Sequence, residues 1–257
     1  MNRRHETFPR LSTRADSPPS FAWMERTFLR RKAPTHGQGE RSAYHPQSTR
    51  QSHWGWTFED WTELTELVTV HAIYGNHDNL HLLKQIKNKD GTWMLKKDGE
   101  RLTINGFTFG FLNGIVSRTK RIKDGILRQT PEMYLVKGKA LKGVDILCTH
   151  ESPWIEEYGN YYHRSRDDSG EVFGIDILRD IIEEIQPIYS FGGHLSGAYS
   201  IGQINRTIAV KIDASPKEQH FAILSLTDEH NFLQSILKIF NDGTEIELTS
   251  FHSITIT

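Results

Sequence analysis

The sequence predicts an α/β domain that begins near residue 57 and continues to the C-terminal region. From Thr57 onward, segments with apolar residues at helical spacing alternate with short β-branched and aromatic runs, a pattern typical of strands connected by helices. Three of the predicted strands end in loops that carry histidine, at Asn76-His77, His150 and His194. The sequence has no internal repeat and indicates no second domain in this region.

The first fifty residues differ in composition from the rest of the chain. They contain no Val and no Ile, and nine Arg, one Lys and four acidic residues give them a net charge of +6. Such a segment has little from which to build a strand core, and its composition does not offset the entropy cost of ordering. We therefore expect residues 1–52 to be a disordered or aberrant N-terminal segment, either a natural tail or an altered sequence, and residues 53–257 to form the domain.

The predicted elements follow in order from Thr57. Thr57 is a suitable N-cap because Asp60 follows three residues later and an apolar stripe at helical spacing comes next. A short β-branched strand over 70–74 then leads into Gly75-Asn76-His77-Asp78. The next predicted elements are a helix over about 80–88, a hairpin turn at Asn105-Gly106, a strand over 107–112, a polar loop over about 114–131 and a helix over 132–142.

The second half begins with a predicted strand over 144–149, which ends at His150. Isoleucine and leucine at helical spacing predict an amphipathic helix over 175–185, followed by a strand over 188–191 that ends at Gly192-Gly193-His194. The C-terminal part is predicted to be antiparallel, with strands over 207–212, 221–226, 232–240 and 245–250 and a hairpin turn over 241–243.

Composition also narrows the class of protein. No apolar run approaches the roughly 18 residues that a membrane-spanning helix requires. The single cysteine, Cys148, cannot form an internal disulfide, and the N-terminus has no apolar stretch typical of a signal peptide. We therefore expect a cytoplasmic protein that does not bind membranes. The net charge of −1 gives no strong case for nucleic acid as a partner.

The histidine-bearing loops indicate a site. Loops beyond the carboxyl ends of strands converge in open α/β sheets, so Asn76, His150 and His194 are expected to face one centre. A lone histidine is more often a hydrogen-bonded structural residue, but three loops at the same topological position favour a functional role. Neutral imidazoles with an amide oxygen suit a first-row divalent ion, and Asp78 is placed to orient His77.

Three motifs in this order and spacing resemble those of one family. Gly75-Asn76-His77-Asp78, Thr149-His150-Glu151-Ser152-Pro153 and Gly192-Gly193-His194 are similar to the third, fourth and fifth motifs of the calcineurin-like metallophosphoesterases. The resemblance covers about residues 57–250. It implies two stacked mixed β-sheets flanked by helices, expected here to be incomplete at the N-terminus. It also implies two metal ions that activate a water or hydroxide for in-line attack on phosphorus.

Matching motif by motif, the resemblance implies a role for each residue. Asn76, His150 and His194 would ligate one metal ion, which could be Mn²⁺, Fe²⁺, Zn²⁺ or Mg²⁺. His77, held by Asp78, would contact the phosphate or protonate the leaving oxygen. The implied activity is metal-dependent hydrolysis of a phosphate mono- or diester, with a phosphorylated small molecule, a nucleotide or another phosphoester as substrate.

The chain also departs from the family pattern. The family's N-terminal Asp-x-His and Gly-Asp motifs are absent, and Ser196 stands at the position of the second histidine of Gly-His-x-His. The carboxylate that bridges two metals is therefore missing, and the remaining ligands are neutral. We expect weak metal binding and an impaired hydrolase. The alternative is a non-catalytic scaffold or binding domain that retains the fold and a vestigial metal site.

Overall fold

The computed structural model describes residues 57–76, 78–117, 121–123, 126–155, 175–194, 199–212, 221–229, 232–241 and 244–253, together with the backbone of residues 20–24. The helices are α1 (Phe58–Leu67), α2 (Leu80–Leu83), α3 (Pro131–Lys139) and α4 (Ile175–Ile185). The strands are β1 (Ser20–Met24), β2 (Arg101–Ile104), β3 (Phe107–Leu112), β4 (Arg121–Lys123), β5 (Ile126–Arg128), β6 (Ile146–Thr149), β7 (Tyr189–Gly192), β8 (Ser200–Ile204), β9 (Thr207–Lys211), β10 (Phe221–Glu229), β11 (Phe232–Asn241) and β12 (Thr244–Ser253). The predicted α/β fold class is confirmed.

The larger sheet has six strands in the order β2-β3-β6-β7-β9-β8. Its four central strands, β3, β6, β7 and β9, are parallel, and the outer strands β2 and β8 pair antiparallel with their neighbours. Strands β3, β6 and β7 contain buried apolar runs, as expected of parallel strands that are covered on both faces. The carboxyl ends of the four parallel strands therefore lie along one edge of this sheet.

The smaller sheet has the order β1-β10-β11-β12, and all its described pairings are antiparallel. It stacks on the larger sheet through a shared core that includes Phe111, Phe191 and Val210 from the larger sheet and Leu224 and Leu237 from the smaller one. The two-sheet arrangement is as the sequence predicted, with the difference that this second sheet is antiparallel rather than mixed.

Helices α3 and α4 cover the opposite face of the larger sheet. Tyr134 of α3 and Leu178, Ile181 and Ile182 of α4 are buried with residues of that face, including Leu147. Gly138 allows the two helices to approach closely, because a Cβ at this position would overlap the Ile181 side chain. The result is three layers, with helices, then the mixed sheet, then the antiparallel sheet.

Local capping and turn patterns produce two of the predicted features. Thr57 and Asp60 form the predicted capping box, since the backbone N–H of each residue donates to the side chain of the other. The predicted hairpin between β2 and β3 is also present. Its turn residues Asn105 and Gly106 have φ values of 51° and 85°, which a two-residue hairpin turn of this kind requires.

The prediction of a strand over 70–74 is wrong. This segment makes one isolated bridge, between Ala72 and Leu95. At its two ends it bonds to side-chain amides instead of to a neighbouring strand, because the N–H of Val70 donates to Asn88 and that of Tyr74 donates to Asn113. Only the segments that end at His150 and His194 are therefore neighbouring strands of one sheet, and Asn76 follows a segment outside that sheet.

Three further element predictions need correction. The helix expected over 80–88 is the single turn α2, because the chain turns back after Lys84 and the backbone of Ile86 pairs with that of Met94. The predicted polar loop over 114–131 contains the hairpin β4–β5. Strand β8 was not predicted, and its pairing with β9 through the turn at Asn205 supplies its backbone bonds.

The N-terminal segment contains one described strand, β1, which pairs along β10. The expectation that this segment forms no strand is wrong for these five residues. Phe21 and Trp23 have high strand propensity, and the edge of β10 supplies backbone bonds that do not require Val or Ile. The remainder of residues 1–52 lies outside the described residues, so the domain boundary near residue 52 stays a prediction.

Among the helices that the structure describes, none is long and apolar enough to cross a membrane.

The contact between α3 and α4 makes a testable prediction. Gly138→Ala places a methyl group against the stiff, β-branched Ile181, and such overpacking costs about 1–3 kcal/mol. Alanine has a higher helix propensity than glycine, which offsets about 1 kcal/mol of this cost. We therefore expect a net fall in the free energy of unfolding. Urea titration measures the free energy of unfolding. Val136→Ala, on the exposed face of α3, is the control, and we expect it to change this free energy by no more than about 0.5 kcal/mol. A variant more stable than the parent chain would contradict the prediction.

Candidate functional site

The site lies where β6 and β7 end. These parallel neighbours deliver His150 and His194 to the same edge of the sheet. Their loops are bonded to each other, because the Gly193 N–H donates to the His150 carbonyl at 3.1 Å and the Ser152 hydroxyl donates to the Gly193 carbonyl at 3.0 Å. The Thr149 hydroxyl donates to the Glu151 carbonyl at 2.6 Å, which tightens the turn that follows β6.

The structure brings together the three residues predicted to be metal ligands. His150 Nε2 lies 3.1 Å from Asn76 Oδ1 and 2.8 Å from His194 Nδ1. The two imidazole rings meet edge to face, with centroids 4.7 Å apart and an interplanar angle of 76°. His150 is buried at 4% exposure, whereas Asn76 and His194 are half-buried. Atoms of Asn76 and His194, from distant parts of the chain, therefore both contact the same ring nitrogen of His150.

These spacings fit a single divalent ion. Ligand atoms about 2.1 Å from one ion and at right angles to each other lie about 3.0 Å apart, close to the two distances observed. Two imidazole nitrogens and an amide oxygen form a donor set that first-row divalent metals accept. Asn76, His150 and His194 could hold one ion with further coordination positions left for water or substrate.

Within the part of the chain that the structure describes, no group of three or more His, Cys, Asp or Glu side chains could hold a metal. No described carboxylate joins the two imidazoles and the amide. His77 and Ser196 lie outside the described residues, so the role that the resemblance implies for His77 stays a prediction.

Glycine at two positions allows parts of the site to approach each other closely. A Cβ at Gly75 would overlap the imidazole of His150, and a Cβ at Gly192 would overlap the carbonyl oxygen of Glu151. The ring of His150 thus lies directly against the backbone of the Gly75 loop, which brings its Nε2 to Asn76. Glycine is required here for close approach rather than for an unusual backbone conformation.

His194 has a strained backbone. Its φ of 70° lies in the left-handed region, which histidine adopts more often than most residues but still at a cost. Non-glycine residues in such conformations cost on the order of 1–3 kcal/mol and persist where surrounding contacts hold them, often at functional sites. In this conformation Nδ1 of His194 faces Nε2 of His150.

Asp78 has a contact that the sequence analysis did not predict. One of its carboxylate oxygens accepts from the Gly75 N–H at 2.6 Å, which closes the turn that carries Asn76. Asp78 therefore shapes this loop, and its predicted role of holding His77 is untested.

Cys148, next to the site on β6, is buried in the core. Burial raises the pKa of its thiol, so it is a poor nucleophile.

Sequence reasoning missed the polar residues beneath the Asn76 loop. Asn113 follows β3 and bonds to the backbone of Tyr74, and Asp98 bonds to the backbone of Asn113. Burial, together with the charge of Asp98, raises the pKa of Tyr74 to about 12. The Asn113-Gly114 pair indicates only a turn at the sequence level, because its partner lies 39 residues away.

Comparison with known proteins supports the fold. No protein-family model and no curated protein matches the chain. A solved crystal structure with 18% sequence identity aligns over 72% of this chain and 70% of its own, with a TM-score of 0.50, and at this identity the likeness shows the fold alone. The crystal structure of TT1561 of Thermus thermophilus, 11% identical, aligns over 73% of this chain and 81% of its own with a TM-score of 0.47.

The close approach at Gly75 can be tested without any ligand. We expect Gly75→Ala to displace the His150 ring and to break its contacts with Asn76 and His194. The imidazole NMR resonances of both histidines should shift, and the free energy of unfolding should fall by about 1–3 kcal/mol.

Gly110→Ala is the matched control for this experiment. Its Cβ would come within 3.1 Å of Leu141 and Val144 in the core, away from the imidazoles, so the histidine resonances should stay in place. Unchanged histidine resonances in Gly75→Ala would show that the ring does not lie against this glycine.

Proposed function

We propose that this chain is a calcineurin-like phosphoesterase domain that binds one divalent ion through Asn76, His150 and His194 and hydrolyses a phosphate mono- or diester. The observation that carries the proposal is the convergence of the three donor atoms, with His150 Nε2 at 2.8 Å and 3.1 Å from its two neighbours. The three residues come from motifs separated by up to 118 positions, yet the polar atoms of Asn76 and His194 both lie within 3.1 Å of His150 Nε2.

The chemistry that the site supports is electrostatic. A bound divalent ion supplies Lewis-acid polarisation of a phosphoryl oxygen and lowers the pKa of a coordinated water. His150 and His194 would contribute neutral nitrogens to the ion, and Asn76 would contribute a neutral oxygen. By family resemblance, His77 would contact the phosphate or protonate the leaving oxygen, and Asp78 would hold it.

The proposed activity is weak in this chain. Three neutral ligands leave the charge of the ion uncompensated, and a second ion would add repulsion that no described carboxylate offsets. Two-metal catalysis requires ions about 3.5–4 Å apart, with anionic ligands between them. We therefore expect a single-metal site with modest affinity for Mn²⁺, Fe²⁺, Zn²⁺ or Mg²⁺.

The alternative function is a non-catalytic scaffold or binding domain that retains a vestigial metal site. The lack of any carboxylate among the described donors favours this alternative, because it weakens the machinery for attack while leaving the fold intact. Either function is compatible with the proposed location in the cytoplasm, where the buried thiol of Cys148 would stay reduced. The expected substrates are phosphorylated small molecules or nucleotides.

Metal-dependent hydrolysis tests the proposal. The intact chain is titrated with Mn²⁺ in the presence of bis(p-nitrophenyl) phosphate as the diester and p-nitrophenyl phosphate as the monoester. We expect Mn²⁺-stimulated turnover below about 1 per second, the lower end of typical enzymes. His150→Ala should reduce it by about 10²-fold or more, because an essential electrostatic element is lost. His81→Ala is the control, since this histidine is exposed on α2.

Three outcomes separate the two functions. Mn²⁺-stimulated turnover that depends on His150 supports the hydrolase. Calorimetric binding of Mn²⁺ that depends on His150, without turnover of either ester, supports the scaffold. Turnover that is the same in His150→Ala as in the parent chain would contradict the site itself.

A further inference from the structure

Asn113 is a fully buried amide at the carboxyl end of β3, beneath the loop that carries Asn76. Its side-chain oxygen accepts from the Tyr74 N–H at 2.8 Å, and its side-chain nitrogen donates to the Lys96 carbonyl at 3.1 Å. The Gly114 N–H donates to the Tyr74 carbonyl at 2.7 Å. Asn113 and Gly114 therefore hold both backbone polar groups of Tyr74.

Tyr74 is separated from the candidate ligand Asn76 only by Gly75. Glycine has the greatest conformational freedom of any residue, so the position of Asn76 depends on what holds the chain on either side. On the far side, the Asp78 carboxylate holds the Gly75 N–H at 2.6 Å. On the near side, the chain is held by the bonds that Asn113 and Gly114 make to Tyr74.

The position of Asn113 is itself fixed by charged and polar neighbours. Its N–H donates to Asp98 at 2.6 Å, and its carbonyl accepts from the Gln129 side chain at 2.9 Å. The other carboxylate oxygen of Asp98 accepts from Lys137 on α3 at 2.8 Å and from Gln129 at 3.0 Å. A continuous series of hydrogen bonds thus links α3 to the backbone of Tyr74.

We propose that Asn113 is a positioning residue for the metal site, which holds the Tyr74 backbone so that Asn76 Oδ1 meets the nitrogens of His150 and His194. The inference rests on the proposed function, because it concerns the same donor atoms. It adds a residue that no motif of the family resemblance includes, and it makes the ion pair of Asp98 and Lys137 part of the support of the site.

Asn88 provides a matched control in the same segment. It is also buried, and its side chain bonds to the backbone of Val70, accepting from the N–H at 2.8 Å as Asn113 does from Tyr74, and donating to the carbonyl at 3.0 Å. Val70 lies six residues before Asn76, whereas Tyr74 lies two before it. A purely structural role predicts similar effects for the two asparagines, and a positioning role predicts an effect on the site for Asn113 alone.

The experiment compares Asn113→Leu with Asn88→Leu in the full chain. The substituted side chains are similar in volume. Asn113→Leu removes two side-chain bonds, and Asn88→Leu removes three, because Asn88 also donates to the Thr92 hydroxyl at 3.2 Å. One readout is the Mn²⁺ dissociation constant from calorimetry, and the other is the side-chain amide NMR signal of Asn76 in the metal-free protein. We expect Asn113→Leu to weaken Mn²⁺ binding by about 10- to 100-fold, the usual effect of removing a supporting partner of a metal ligand. It should also shift or broaden the Asn76 signal, and Asn88→Leu should change neither.

The outcomes distinguish this inference from the proposed function. If the parent chain binds no Mn²⁺, the proposed metal site fails, and the Asn76 signal alone decides whether Asn113 positions the loop. If Asn113→Leu folds and both readouts match those of Asn88→Leu, the inference is overturned.

A second pair of variants applies if Asn113→Leu does not fold. Lys137→Met removes a partly exposed partner of Asp98. Lys139→Met, also on α3, removes an ion pair with Glu184 of α4. We expect Lys137→Met to weaken Mn²⁺ binding by about 2- to 30-fold, the range of coupling through a bonded network, and to shift the Asn76 signal. Equal behaviour of the two lysine variants in both readouts would overturn the inference.

Discussion

The parallel pairing of β6 with β7 is the constraint on which the rest of the site depends. It places the ends of two strands side by side, so that His150 and His194 leave the sheet at the same edge and their nitrogens come within 2.8 Å. The pairing is maintained because both faces of these strands are buried, one by the helices and the other by the antiparallel sheet. The core thus fixes the two imidazoles before any ligand is bound.

The third donor arrives by a different route. Asn76 belongs to a segment whose ends bond to the amide side chains of Asn88 and Asn113 instead of to a neighbouring strand. Its loop approaches His150 closely because Gly75 has no side chain. The site therefore combines two nitrogens placed by paired strands with one oxygen whose position depends on a small set of buried polar contacts. Such a site would lose its donor geometry through changes that leave the fold intact.

The sequence predicted the parts of this structure that depend on local chemistry. The capping box of Thr57, the hairpin at Asn105-Gly106 and the helix over 175–185 each follow from neighbouring residues. The approach of His150 to His194 followed from where two predicted strands end, whereas Asn76 arrives from a segment that is not a strand of that sheet. The errors concern non-local contacts. The composition of the segment over 70–74 predicts a strand, but the side chains that bond to its backbone, Asn88 and Asn113, lie 18 and 39 residues further along the chain. Asn113 was missed for the same reason.

The central claim is that Asn76, His150 and His194 surround one cation. The most direct measurement is anomalous diffraction from crystals of the full chain soaked in Mn²⁺, with data collected on both sides of the manganese absorption edge. The account predicts one anomalous peak within about 2.0–2.3 Å of Asn76 Oδ1, His150 Nε2 and His194 Nδ1. A map in which the three atoms keep their hydrogen-bonded contacts and the manganese lies elsewhere, or is absent, would contradict it.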